Sequence, residues 1–169
     1  MFQDFKDLLS AFNANGVKYL IVGGYAVSLH AQPRATKDMD VFIKADTSNA
    51  HATYAALASF GAPLDNIRRE DLANPSNFIR FGREPVAVDI LPGIDGVDFD
   101  AAWERRVQNI IDPQSGLTAF FISRDDLIAS KLAAGRPQDL ADVEAIRQAT
   151  KSLEAEKTDK KPPELNAPK

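Results

Sequence analysis

The sequence predicts an α+β fold in which strands and helices mix without regular βαβ winding. Three observations carry that reading. Short apolar runs of strand length alternate with longer amphipathic stretches. Two of those runs, Phe78–Phe81 and Pro85–Leu91, flank Gly82-Arg83-Glu84 in the manner of a hairpin. Helical periodicity stands at both ends of the strand-bearing region.

Residues 2–14 place Phe2, Phe5, Leu8, Leu9 and Phe12 at helical spacing, with Asn15-Gly16 as the stop. Val17–Val22 reads as a buried strand. Gly24–His30 reads as a short helix ended before Pro33, and Met39–Ile43 as the second strand. Thr47 or Ser48 can cap a helix to about Ser59, with Gly61 and Pro63 as the break. Residues 64–76 are polar and read as an irregular connection.

After the hairpin, Pro92-Gly93 ends the second arm, and Phe99–Arg105 reads as a turn of helix. Val107–Ile111 and Thr118–Ile122 are further strands around Asp112-Pro113-Gln114-Ser115-Gly116. Ser123 caps a helix to about Ala134, with Asp125 and Asp126 in its first turn, where the helix dipole favours acids. Gly135-Arg136-Pro137 breaks it, and a last helix covers 137–149 with Leu140, Val143 and Ile146 along one side. The expected organisation is one domain over 1–149 and a disordered tail over 150–169, rich in Lys, Glu and Pro.

The 169 residues are 44% hydrophobic and 26% charged, ordinary for a soluble globular protein. A net charge of −4 supplies no global basic field for nucleic acid. The absence of cysteine excludes disulfides, thiolate metal sites and cysteine nucleophiles. The first residues lack a basic start followed by an apolar block, and no apolar run approaches a membrane span. The expectation is a cytoplasmic protein with no membrane partner.

The chemistry concentrates in one stretch. Gly23-Gly24 follows an apolar strand, and Asp38 and Asp40 occupy alternate positions inside the next apolar run. Residues two apart in a strand face the same side, so the two acids project together while Met39 and Val41 turn to the core. Adjacent acids repel each other, and a cation between them relieves the repulsion. Oxygen ligands suit Mg²⁺ or Mn²⁺. Asp89, in Val86–Leu91, supplies a third acid if its strand neighbours theirs. It could accept the proton of an attacking hydroxyl. The glycines let backbone N–H groups approach a polyphosphate at a helix N-terminus.

Gly23-Gly24, Asp38-x-Asp40 and the later Asp89 together resemble the nucleotidyltransferase superfamily of the polymerase-beta type. Arg34-x-Thr36-x-Asp38-x-Asp40 and the segment from Lys131 to Asp142 look like the AbiEii toxin branch and its small nucleotidyltransferase-like relatives. The resemblance covers residues 17–146. It implies a nucleotidyltransferase fold: a mixed sheet flanked by helices, with two C-terminal helices.

The activity it implies is Mg²⁺-dependent transfer of a nucleoside monophosphate from a nucleoside triphosphate to a hydroxyl of a protein or RNA acceptor. The setting it implies is a toxin–antitoxin system with a partner protein. Asp38, Asp40 and Asp89 match the metal-binding and catalytic acids. Gly23, Gly24, Arg34, Lys37, Lys131, Arg136 and Asp139 match the nucleotide side. Each also has a plainer reading: a strand-to-helix turn for the glycines, surface charge for Arg34 and Lys37, a snorkelling side chain for Lys131, and a structural ion-pair network for Arg136, Asp139 and Asp142. The short C-terminal region keeps a second function open, a catalytically weak or inactive nucleotide- or partner-binding module such as an antitoxin or regulatory subunit.

Overall fold

The computed structural model describes residues 1–83 and 86–159, with side chains through Ala155. In chain order the elements are α1 (Gln3–Ala14), β1 (Tyr19–Ile21), α2 (Gly23–His30), β2 (Asp38–Ile43), α3 (Thr47–Phe60), α4 (Arg69–Leu72), β3 (Ile79–Arg83), β4 (Val86–Leu91), α5 (Phe99–Glu104), β5 (Val107–Asp112), β6 (Leu117–Phe121), α6 (Arg124–Ala134) and α7 (Pro137–Asp159). The expected α+β class is therefore the observed one. The expected hairpin is β3–β4, although Glu84 and Pro85 of its loop lie outside the described residues.

The strands form one six-stranded sheet in the order β3-β4-β2-β1-β6-β5. β2 pairs with β4 and β1 with β6 in parallel, and the remaining pairs are antiparallel. The sheet is thus mixed, as the irregular alternation of elements demands.

Helix α1 buries Phe5, Leu8, Leu9 and Phe12 completely and packs against α3. Its partners in the core include all of β1 and, from β2, Met39, Val41 and Ile43. The other face of β2 carries Asp38, Asp40 and Phe42. Phe42 meets Phe99 of α5 edge-on, with ring centroids 4.9 Å apart, so that face is apolar at one end and acidic at the other.

Four local details differ from the expectations. α2 begins at Gly23, one residue early, and Gly23 makes the turn into it with φ +56°. α3 is capped by Asp46, whose side chain accepts from Asn49 N, rather than by Thr47 or Ser48. The connection 64–76 contains the short helix α4, held by Asp71 accepting from Arg68 N. α7 continues to Asp159, past the expected end near 149. Apolar periodicity ceases after Ile146, and Leu153 is exposed, so this stretch continues on the helix propensity of Leu, Glu, Ala and Lys. The expected domain boundary at 149–150 falls within α7, and residues 160–169 of the expected tail lie outside the described residues. Among the described residues, no helix is long and apolar enough to cross a membrane.

Candidate active site

Strand register builds the site. Asp40 lies directly opposite Asp89 in the parallel β2–β4 pair, and Asp89 lies opposite Arg80 in the β3–β4 hairpin. Direct partners project to the same face, so Arg80, Asp89 and Asp40 form a transverse row across three strands. Asp38 joins that face from two residues earlier on β2.

The three acids expected to converge do share one face. Arg80, which the sequence reading passed over, stands among them. Its Nη2 donates to Asp38 Oδ2 at 2.5 Å, and its Nε lies 3.5 Å from Asp89 Oδ1. The second distance gives charge attraction without a hydrogen bond. Asp38 Oδ1 and Asp89 Oδ1 are buried and accept no hydrogen bond. A buried carboxylate oxygen without a donor is costly, and a hard cation is a chemically suitable partner for both. Among the described residues, no three His, Cys, Asp or Glu side chains are grouped closely enough to hold a metal ion as they stand. The acids thus fit a cation in type, face and unsatisfied oxygens, but they are spread along the sheet.

Burial, the Asp89 charge and the Asp38 charge push the Asp40 carboxyl from the usual 3.8 up to about 6, against the opposing pull of Lys131 and Arg136. Asp89 is also raised, chiefly by burial, while Arg80 draws it down and Asp38 adds to the rise. In both the chief cause is burial of the charged form, with the Asp38 charge adding to it.

The glycine turn closes over Asp40. A Cβ on Gly23 would sit 1.9 Å from Asp40 Oδ2, and the positive φ disfavours any side chain there. Val22 N donates to Asp40 O at 3.0 Å and ties the two strands at this point. Gly24 has a different neighbour. A Cβ there would meet Thr36 Oγ1 at 2.6 Å, and that hydroxyl donates to Asp38 O. No side chain caps the N-terminus of α2, which leaves its first turn open to an anion.

Beside Asp40 opens a cleft of about 360 Å³, lined among others by Gly23, Leu91, Asp95, Ser130, Lys131, Arg136 and Asp139. Lys131 is buried, with Nζ 2.7 Å from Asp142 Oδ2 and 3.2 Å from Asp139 Oδ1. Arg136 Nε donates to Asp139 Oδ2 at 2.6 Å, yet its side chain stays 76% exposed at the cleft. Burial alone would raise the Asp139 carboxyl, but hydrogen bonds from Arg136 and Lys131 outweigh it and hold it low. Arg34 Nη2 reaches Asp142 Oδ2 at 3.1 Å, and Gln138 Nε2 donates to Asp142 Oδ1.

The structure thus gathers Gly23, Asp40, Lys131, Arg136 and Asp139 at one cleft. Asp38, Asp89, Arg34, Lys37 and Gly24 lie outside its lining, and Arg34 serves the ion-pair network. Lys131 sits in the wall with its ammonium engaged by two carboxylates. Asp95 and Ser130 line the cleft without having been singled out, since each sits in an unremarkable stretch. Arg80 had a usable signal: placed opposite Asp89 in the hairpin, it had to share that residue's face.

The sequence matches the family described as "Nucleotidyltransferase of unknown function (DUF6036)" over residues 1–160. No curated protein matches it. Among solved structures, the lincosamide antibiotic adenylyltransferase LnuA, bound to lincomycin, superposes with a TM-score of 0.51 at 13% identity. That match covers 88% of this chain and 98% of the other. The antibiotic-resistance factor ANT(2'')-Ia gives a TM-score of 0.51 at 14% identity, over 92% of this chain and 85% of the other. At such identities the likeness is one of fold.

Proposed function

We infer, since this chain belongs to the DUF6036 family of nucleotidyltransferases, that it moves a nucleoside monophosphate from a nucleoside triphosphate to an acceptor hydroxyl with the help of Mg²⁺ or Mn²⁺. The observation that supports this most is the placement of Asp40 directly opposite Asp89, with Asp38 on the same face and the Gly23 turn against Asp40.

Asp38, Asp40 and Asp89 would hold the cation, which when bound offsets the charge that develops on the transferring phosphate. The chain's own groups supply the rest. The open first turn of α2, beginning at Gly23 and Gly24, presents backbone N–H groups to the triphosphate. Arg136 faces the same anion from across the cleft, while Lys131 and Asp139 hold that wall in place. Arg34, in the loop before β2, braces the same wall through Asp142. The acceptor oxygen forms a bond to the α-phosphorus as the bond to the bridging oxygen breaks. Pyrophosphate leaves, and Asp89 takes the hydroxyl proton.

A net charge of −4 favours a protein or small-molecule hydroxyl over a polyanionic RNA. A toxin–antitoxin setting, in which a partner protein is the acceptor, agrees with that charge. The test is incubation with each α-labelled triphosphate, Mg²⁺, and cell proteins, RNA or small metabolites in separate arms. The expected result is a labelled product and pyrophosphate in at least one arm, both abolished by Asp40→Asn. Orthophosphate release without a product, or a product insensitive to Asp40→Asn, overturns the reading. Label in the RNA arm alone overturns the choice of acceptor.

A further inference from the structure

We propose that Arg80 is a built-in counterion that competes with the divalent cation for Asp38 and Asp89, so the cation enters only as the guanidinium lets go of Asp38. This rests on the cation reading above. Three observations carry it. Arg80 touches two of the three acids, at 2.5 Å and 3.5 Å, from a strand that carries none of them. Its side chain is 45% exposed, against 31% for Asp38 and 9% for Asp89, so the arginine lies on the solvent side of the acids it touches. The sheet row beside it reads Gly82, Ala87, Asp38 across β3, β4 and β2. The small residues Gly82 and Ala87 put no long side chain beside Arg80 in the row that leads to Asp38.

The geometry also explains an asymmetry. Arg80 satisfies Asp38 Oδ2 but leaves Asp38 Oδ1 and Asp89 Oδ1 buried without hydrogen bonds. Here the guanidinium hydrogen-bonds Asp38 on β2 but meets Asp89 on β4 by charge attraction alone, so neither Oδ1 receives a donor. A cation accepts oxygens from several directions. The arginine is therefore a partial substitute that holds the acids together and yields to a better partner.

The test is Mn²⁺ titration of the full chain, followed by the electron-spin signal of free Mn²⁺, for wild type, Arg80→Gln, Arg80→Lys and Asp38→Asn. Competition predicts that Arg80→Gln binds Mn²⁺ about tenfold more tightly, the size expected for removing a charge-assisted contact. Arg80→Lys stays near wild type, and Asp38→Asn weakens binding. Unchanged or weaker binding by Arg80→Gln, with wild type still binding, overturns the proposal alone. Equal binding by wild type and Asp38→Asn, or none by either, overturns the cation reading and the proposal with it. Nitrogen NMR of wild type gives a readout independent of any variant's folding. The Arg80 Nε signal is to move on saturation with Mg²⁺, and an unmoved signal overturns the proposal.

Discussion

Asp40 faces Asp89 across the parallel strands β2 and β4, one strand spacing apart. Both carboxyls are raised by burial, and each lies within reach of the Asp38 charge. The native fold therefore holds an electrostatic debt at neutral pH.

That relationship fixes a pH dependence. The Asp40 carboxyl is pushed up to about 6 in the folded chain and returns to 3.8 on unfolding. Between those values the native state binds more protons, so stability falls as pH rises through the window. Above it the cost is complete, at most about 3 kcal/mol by linkage. Asp40→Asn is expected to raise the melting temperature at pH 7.5 in the presence of chelator. The gain should fade toward pH 4, which paired melts at the two pH values check.

Gly23→Ala combines a left-handed backbone with a Cβ that would lie 1.9 Å from Asp40 Oδ2. The expected loss is about 2–4 kcal/mol in urea unfolding, with transfer activity abolished. Gly16 also has a positive φ, but nothing lies within 4 Å of its added Cβ. Gly16→Ala should therefore cost only about 1 kcal/mol, the backbone part alone.

Lys131→Met strands Asp139 and Asp142, both buried, with less positive charge. Breaking a buried pair on one side costs about 3–5 kcal/mol. Adding Asp142→Asn to Lys131→Met should recover part of it, since one stranded charge is then gone. Equilibrium unfolding of the single and double variants measures the coupling, and additivity of the two changes would contradict it.

Asp46→Ala removes the side chain that caps α3 and should cost about 1 kcal/mol. Thr47→Ala, at one of the two residues the sequence offered as a cap, should fall within about 0.5 kcal/mol of wild type. Chemical denaturation of the two variants separates them.

The elements that bury a periodic apolar face were legible: α1 from Phe5, Leu8, Leu9 and Phe12, β2 from Met39 and Val41, and the hairpin from its two apolar arms. The Ser123 cap was also readable, because a serine three residues before an acid has a local meaning, and its hydroxyl indeed bonds Asp126. The end of α7 was not readable, since propensity without packing leaves no periodic mark. In the site, Asp38 and Asp40 were placed by strand alternation alone. What escaped was pairwise and non-local. Arg80 meets Asp38 only because β3 and β2 flank the same strand, and Arg34 meets Asp142 across most of the chain. Spacing within one element cannot announce such partners.

The ion-pair network joins residues made early to residues made late. Arg34 and the buried Lys131 find Asp142 only once α7 is in place. During synthesis, the loop before β2 and the last turn of α6 therefore wait for acids that do not yet exist. The same helix carries Ile146 into the core, so the cleft wall beside Asp40 and the last of the core depend on one late element.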